Sequence, residues 1–296
     1  MRILILGGNG MIGHKMYQLI SKYYQDTWVT LRNNLSSYSY SEIYNSEKVI
    51  DKIDLSNFKL LLNQLNVLNP DVVINACGIT IRRGIDALKS NSIILNSALP
   101  HFLNEWVVSN NKRLIHFSTD CVFSGKNGDY LDNDIKDAID IYGLTKSMGE
   151  VIDSKCAITL RGSMIGRELE NKTELLEWFL HQKNNVIKGF TNVIYSGITT
   201  VRMAEIILKI INEYPNLSGI YNISSEPISK FDLLKKWNDN FSINATIEID
   251  KNYTSNKNLI SDKLFKTIEL EQPIWDDLIN QLKIDYELYN NLYNLK

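Results

Sequence analysis

Tyr142 and Lys146 stand four residues apart, the spacing that puts two side chains on one face of a helix. A phenol has an ordinary pKa of about 10 and is a poor acid-base group at neutral pH unless a neighbour favours its anion. An ammonium within a few ångström does that, so the pair can deliver a proton to an oxygen that is gaining negative charge, and the lysine can hold ribose hydroxyls as well. Thr119, at the polar end of the apolar run Leu114-Ile-His-Phe117, supplies a hydroxyl for the same oxygen. Tyr-x-x-x-Lys alone is a weak signal in a chain with 15 tyrosines, and Tyr44/Lys48 and Tyr253/Lys257 match it too. Tyr142 differs from those copies in lying downstream of a polar-ended strand and opening a helical pattern. Thr119, Tyr142 and Lys146 are therefore the expected catalytic set, converging on one carbonyl.

Such a set needs a scaffold, and the N-terminus describes one. Arg2-Ile-Leu-Ile-Leu6 is apolar enough for a strand buried on both faces, and Gly7-Gly-Asn-Gly-Met-Ile-Gly13 follows it. Ile12, Met16, Leu19 and Ile20 then recur at helical spacing. Strand, glycine turn and helix together set free N–H groups where a pyrophosphate can sit, which makes Gly7, Gly10, Met11, Ile12 and Gly13 candidate dinucleotide ligands. Trp28–Leu31 reads as a second strand ending at Arg32, where a basic residue tolerates a 2′-phosphate; NADP(H) is expected in preference to NAD(H). Leu35 to Tyr44 reads as a flexible excursion, and Val49 to Leu55 as a third strand. Asp54, with Leu55 beside it, could accept from the adenine amino group, and as a helix cap for Ser56 onward it is explained equally well.

Val72-Val-Ile74 makes a fourth strand whose end, Ala76-Cys77-Gly78, is small enough for close cofactor approach. A helix then carries Asn96. The fifth strand ends in Ser118-Thr119, the helix of Tyr142 runs to about Ile152, and Ala157–Leu160 is a sixth strand leaving the sheet at Arg161-Gly-Ser163. Beyond it lie a helix from Glu174 to His181, a strand from Val186 to Val193 and a helix from Thr200 to Ile211. Ile220–Ile223, a helix from Ser229, Thr246–Ile249 and a helix from Pro273 complete the pattern. The fold expected is α/β: a Rossmann-like doubly wound parallel sheet over residues 1–162, with 194–214 returning to it. A smaller α/β lobe, 163–193 and 215–296, would cover the cleft.

At 296 residues with 44% hydrophobic content the chain can bury an ample core. A net charge of -2 and a pI near 6.1 argue against a nucleic-acid or anionic-membrane partner held by bulk electrostatics. No apolar run approaches the roughly 20 residues of a membrane span, and the N-terminal stretch does not read as an export signal. Cys77, Cys121 and Cys156 are widely spaced, as reduced thiols in a cytoplasmic protein would be, and suggest neither a disulfide framework nor a metal site.

The glycine motif, Ser118-Thr-Asp-Cys-Val-Phe123 and Tyr142-Gly-Leu-Thr-Lys146 together resemble the extended short-chain dehydrogenase/reductase superfamily. Within it the chain is similar to the dTDP-4-dehydrorhamnose reductase family, whose members carry Ser-Thr-Asp-Tyr-Val-Phe and Tyr-Gly-x-Thr-Lys. The likeness takes in Asn75-Ala76, Arg161-x-Ser163, Ser196-Gly-Ile-Thr199 and Gly219-Ile-Tyr221, and so nearly the whole chain. It implies NADPH-dependent reduction of a nucleoside-diphospho-4-keto-6-deoxy sugar, in deoxysugar biosynthesis for surface polysaccharide. It also implies Ser118, Asn96, Tyr142 and Lys146 at the cofactor, and Cys121, Arg161, Ser163, Tyr195, Ser196 and Lys257 at the sugar nucleotide. A homodimer is one assembly consistent with it. Cys121 where the family has Tyr, Gly162 within Arg-Thr-Ser, and a residual Asn256-Lys257-Asn258-Leu259 element are departures on the substrate side. Two rivals follow from the same fold: a sugar-nucleotide dehydratase or epimerase, and a non-catalytic NADP-binding regulatory subunit. A dehydratase would place Asp-Glu after the threonine, where this chain has Asp120-Cys121.

Overall fold

The computed structural model describes residues 1–80, 89–170 and 172–293. The first half alternates strand and helix: β1 (Ile3–Leu6), α1 (Met11–Ile20), β2 (Thr27–Thr30), β3 (Val49–Ile50), α2 (Phe58–Leu68), β4 (Val72–Asn75), α3 (Lys89–Ser92), α4 (Leu99–Ser109), β5 (Arg113–Ser118), α5 (Ile141–Met148) and β6 (Ala157–Arg161). The second half is more broken: β7 (Met164–Ile165), α6 (Leu175–Leu180), β8 (Val186–Phe190), β9 (Val193–Tyr195), β10 (Ile198–Thr199), α7 (Thr200–Glu213), β11 (Gly219–Asn222), β12 (Ile228–Ser229), α8 (Lys230–Phe241), β13 (Thr246–Asp250), β14 (Ser255–Asn256), α9 (Asp262–Thr267) and α10 (Trp275–Tyr293).

Seven strands form one all-parallel sheet in the order β11-β6-β5-β4-β1-β2-β3. The alternation along β1 explains why both its faces are covered. Ile3 and Ile5 pack with Met16 and Ile20 of α1 and with α7, whereas Leu4 and Leu6 pack with Leu61 and Leu65 of α2 and Leu103 of α4. The strand order reverses beside β1, and the crevice at such a switch point is where α/β sheets bind ligands. No described helix is long and apolar enough to cross a membrane.

Five details depart from the sequence reading. Leu35–Ser41 is a 3-10 helix rather than a loose excursion: Tyr38 is buried, and Tyr44 returns its hydroxyl to the Gly8 carbonyl at 2.7 Å. The third strand is Val49–Ile50 alone, because Lys52 turns the chain with a φ of 53°. Helix α5 stops at Met148, capped by Gly149, which brings Glu150 round toward Arg161. Residues 186–193 are two strands, since β8 pairs with β13 while β9 pairs with β12 and β14, and the chain must turn between those small sheets. Strand β11, expected in the smaller lobe, is the outer strand of the large sheet.

Candidate active site

The glycine turn is fixed from beneath by β2: the Gly7 N–H donates to Thr30 Oγ1 at 3.0 Å and the Gly8 N–H to the Thr30 carbonyl at 2.9 Å. A Cβ on Gly13 would lie 2.1 Å from the Gly7 carbonyl oxygen, so helix and turn approach as closely as they do because that side chain is missing. Gly10 caps α1 without a side-chain acceptor, and the first turn holds no carboxylate. The helix start therefore has positive ends to offer and no anion of its own, which fits a pyrophosphate. A cleft opens in front of it. Gly7 and Gly10, Ala76, Cys77 and Gly78, and Arg32, Asp54 and Leu55 line it. Asp54 accepts from Ser56 N at 2.9 Å and Ser56 Oγ at 2.7 Å, bonds that hold its carboxyl below the usual range; it closes that turn while Asn57 caps α2, and it borders the cleft beside Arg32. Sequence reasoning missed Asn9, Thr30, Ile79 and Leu95 in this lining. Thr30 was findable, as the polar residue closing an apolar strand.

At the carboxyl end of β5, Thr119 lies near the Tyr142 phenol, and Lys146, one turn further along α5, reaches the strand itself. Thr119 Oγ1 caps the following turn, accepting from Cys121 N at 3.2 Å and donating to Asp120 Oδ1 at 3.1 Å, and it restrains the rise of the Tyr142 phenol nearby. Asp140 starts α5 by accepting from Gly143 N at 2.9 Å. Gly143 lets that helix press on the Cys121 carbonyl, which a Cβ there would meet at 2.2 Å. Lys146 is buried and donates to the Phe117 carbonyl at 2.5 Å. Burial raises the Tyr142 phenol, with Cys121 adding to the shift, whereas burial pulls Lys146 down to about 8 against the opposing pull of Glu150 and Cys77. This differs from a phenol held low by its lysine: the resting phenol is protonated and the ammonium is turned to a carbonyl.

Several other expected ligands have structural partners instead. Arg161, expected at the sugar, is buried and forms two 2.9 Å bonds to Glu150, with further bonds to Asn222 Oδ1 at 3.0 Å and the Asp132 carbonyl at 3.2 Å. Ser118, expected at the cofactor, donates its hydroxyl to Glu150 at 2.6 Å. Asn96 lies in a π-helical turn, Ile93–Ala98, and its amide clasps both backbone groups of Ile79 (2.8 and 3.0 Å) while donating to Thr145 at 3.2 Å. It therefore ties the cleft wall to α5 rather than pointing at a ligand. Ser196 Oγ accepts from Leu259 N at 3.2 Å.

Ser163 and Tyr195 do line a common cavity of about 350 Å³, joined by Met11, Glu174 and Lys230. Lys230 Nζ lies 3.3 Å from the centre of the Tyr195 ring. Glu174, which the sequence reading did not single out, accepts from Thr80 Oγ1 at 3.3 Å and adds to the upward shift of both Tyr142 and Tyr195. Lys257 hydrogen-bonds Cys121, whose thiol burial nonetheless pushes up to about 12. The sequence placed no cation near that thiol; a bond from a distant loop supplies one.

A parallel sheet with a glycine turn before α1 and a Thr–Tyr–Lys cluster at its carboxyl edge has the architecture of an extended short-chain dehydrogenase/reductase. A family profile described as RmlD substrate binding domain matches residues 1–250, and the chain belongs to that family. It is 26% identical over 234 residues to a dTDP-4-dehydrorhamnose reductase of Aggregatibacter actinomycetemcomitans, covering 76% of this chain and 74% of that one. The fold is similar to that of dTDP-4-dehydrorhamnose reductase from Bacillus anthracis in complex with NADP, with a TM-score of 0.77, 17% identity, and 96% and 99% of the two chains covered. It is equally similar to dTDP-glucose 4,6-dehydratase of the same organism in complex with NAD, with a TM-score of 0.78, 15% identity and both chains covered in full.

Proposed function

We propose that this protein is a sugar-nucleotide 4-ketoreductase, using NADPH to reduce the 4-keto group of a nucleoside-diphospho-4-keto-6-deoxy-hexose. The observation that carries the reading is the buried, protonated Tyr142 phenol, which feels both Thr119 and Glu174, the latter in the cavity that Ser163, Tyr195 and Lys230 also line. NADPH, when bound, supplies the hydride. The start of α1 holds the pyrophosphate, Arg32 meets a 2′-phosphate, and the small residues 76–78 let the nicotinamide half approach. Thr119 holds the substrate carbonyl oxygen, Tyr142 donates the proton that the alkoxide requires, and Lys146 stabilises the phenolate left behind and holds ribose hydroxyls. Glu174 and Ser163 accept from and donate to sugar hydroxyls.

In the same reading the nucleoside lies beyond Lys230, in the adjoining groove of Trp178, Phe190 and Tyr253, whose rings suit a flat base. The sheet domain of residues 1–162 with 194–214 carries the cofactor, and 163–193 with most of 215–296 carries the sugar nucleotide. The setting is cytoplasmic deoxysugar biosynthesis, and the assembly a homodimer. Cys121 argues against a dehydratase, because a thiol pushed up to about 12 is a poor acid or base for expelling water.

Purified protein should consume NADPH stoichiometrically with one or more members of a panel of 4-keto-6-deoxy sugar nucleotides. Formation of a 4-keto-6-deoxy sugar from an unmodified hexose nucleotide without net cofactor use would replace the reading with a dehydratase. NADPH binding without turnover on the whole panel would replace it with a regulatory subunit.

A further inference from the structure

The last turns of α10 are buried against α1, the helix that begins in the glycine turn, through groups that a simple packing helix does not need. Asp285 accepts from Lys15 Nζ at 2.5 Å with both side chains almost fully buried, and the same ammonium lies 4.4 Å from the centre of the Tyr289 ring. One turn on, Tyr289 meets His14 Nε2 at 2.5 Å, while His14 Nδ1 meets the Gly10 carbonyl at 2.7 Å. Arg167 packs over the rings of Tyr286 and Tyr289 at 4.8 and 5.6 Å, and its guanidinium is paired at 2.6 Å with Glu177.

The proton positions in this chain follow from its ends. A carbonyl oxygen only accepts, so His14 Nδ1 carries the hydrogen and donates it to Gly10. Nε2 is then a bare lone pair, and the Tyr289 hydroxyl must be its donor. Burial and the Lys15 charge lower the imidazole to about 3, so it stays neutral and the tautomer does not change across the physiological range. The Gly10 carbonyl thus receives two hydrogen bonds, from the His14 ring and from the His14 backbone N–H at 3.1 Å. Gly10 is the cap of α1, and its carbonyl belongs to the peptide whose N–H, on Met11, is the first donor of the helix start. An accepted bond at that carbonyl both fixes the plane of the peptide and polarises its N–H.

We infer that Tyr289 and His14 are positioning residues for the cofactor, the C-terminal helix orienting the Gly10–Met11 peptide toward the pyrophosphate. This rests on the reading of the glycine turn as a dinucleotide site. The buried Lys15–Asp285 pair keeps α10 in register, since separating it would leave two unpaired charges in the interior. Evolution of the turn sequence alone therefore does not set the affinity; a segment at the opposite end of the chain contributes to it.

The experiment compares Tyr289→Phe with Leu282→Ala in the full chain. Leu282 is a buried α10 residue in the apolar core, outside the hydrogen-bond chain, and serves as a control for loss of stability. NADPH affinity is measured by fluorescence titration well below the melting temperature of each variant. Amide exchange at Met11–Gly13 and the ¹⁵N shifts of the His14 ring are measured without cofactor. Tyr289→Phe should weaken NADPH about three- to tenfold, hasten exchange at Met11–Gly13 and shift the His14 Nε2 resonance, with kcat at saturating NADPH within about twofold. Leu282→Ala should lower Tm while leaving affinity and exchange at those residues as in the native protein. Equal affinities in Tyr289→Phe and native protein, or equal loss in both variants, would overturn the inference. If the native protein binds no NADPH, the dinucleotide reading fails with it; NADPH binding that is indifferent to Tyr289 sinks only the positioning role.

Discussion

Replacing Arg161 with Met tests whether this arginine serves the substrate or the fold. Its guanidinium is 2% exposed, the Glu150 carboxylate facing it is fully buried, and two parallel 2.9 Å bonds join them. Removing one partner of such a pair leaves an uncompensated charge inside the protein, a loss of about 3–5 kcal/mol. Lys136, at 2.9 Å from the same carboxylate, is partly exposed and offsets some of this, so the lower half of the range is expected. At about 2–4 °C per kcal/mol for domains approaching this size, Tm should fall by roughly 6–16 °C in calorimetry. The double variant Arg161→Met with Glu150→Leu should recover most of the loss, because an apolar pair of similar volume replaces the ionic one without stranding a charge. The pH dependence has a definite sign. Burial alone would raise Glu150, but its bonds and charge contacts with Arg161, together with Ser118 and Lys136, hold it below its ordinary 4.5. A carboxyl depressed on folding contributes stability above its unfolded pKa and loses it as pH falls through the folded one. The native protein should therefore lose this contribution below about pH 4.5, and the double variant should lack that part of the acid sensitivity. An Arg161→Met protein with native Tm and a raised KM for the sugar nucleotide would refute the structural role and restore the substrate contact.

Tyr142→Phe should lower turnover about 10²- to 10⁴-fold with NADPH affinity little changed, as stopped-flow reduction and fluorescence titration would show. Arg32→Ala should weaken NADPH about tenfold or more and leave NADH as it was, since charge-assisted bonds to a 2′-phosphate contribute roughly 1.5–3 kcal/mol; equal native affinities for the two cofactors would reduce Arg32 to a surface charge. Gly13→Ala, with its Cβ 2.1 Å from a backbone carbonyl, should abolish measurable NADPH binding and lower Tm, whereas unchanged binding would show the turn to be looser than drawn. Cys121→Ser should keep reductase activity within about tenfold of native, because a thiol pushed up to about 12 takes no part in proton transfer at neutral pH.

What the sequence made legible was whatever is decided by residues near one another in the chain. The run Ile3–Leu6, the glycine spacing and the Tyr142/Lys146 pair each set their local geometry through neighbours, and the parallel, doubly wound class of the sheet followed from alternation of strand and helix. Arg161 shows where that reading stops. A polar residue at the end of an apolar strand looks the same whether it faces a ligand or a partner, and what decides it is Glu150 together with Asn222, 61 positions away. Ser118, whose hydroxyl goes to the same Glu150, was illegible for the same reason. Lys257 reaching Cys121, and Tyr289 reaching His14 across 275 positions, depend on how two lobes pack and leave no periodic trace.

The electrostatics of the site set a pH window for the proposed reduction. In the proposed mechanism Tyr142 begins each cycle as the acid, and a phenol raised by burial is protonated at every pH the protein would meet, so no fraction of the enzyme would wait in the wrong form. The penalty is that a raised phenol donates reluctantly, since efficient transfer needs a pKa closer to the ambient pH. Lys146 resolves this. Its ammonium donates to the Phe117 carbonyl, and in the proposed mechanism a rotation of its terminal bonds toward ribose and phenol would bring a positive charge to Tyr142 as the alkoxide forms. At about 8 the lysine is still mostly charged at neutral pH, but it is the group that sets the alkaline limit. Reductase turnover should therefore decline above about pH 8 through loss of the ammonium rather than through ionisation of the phenol.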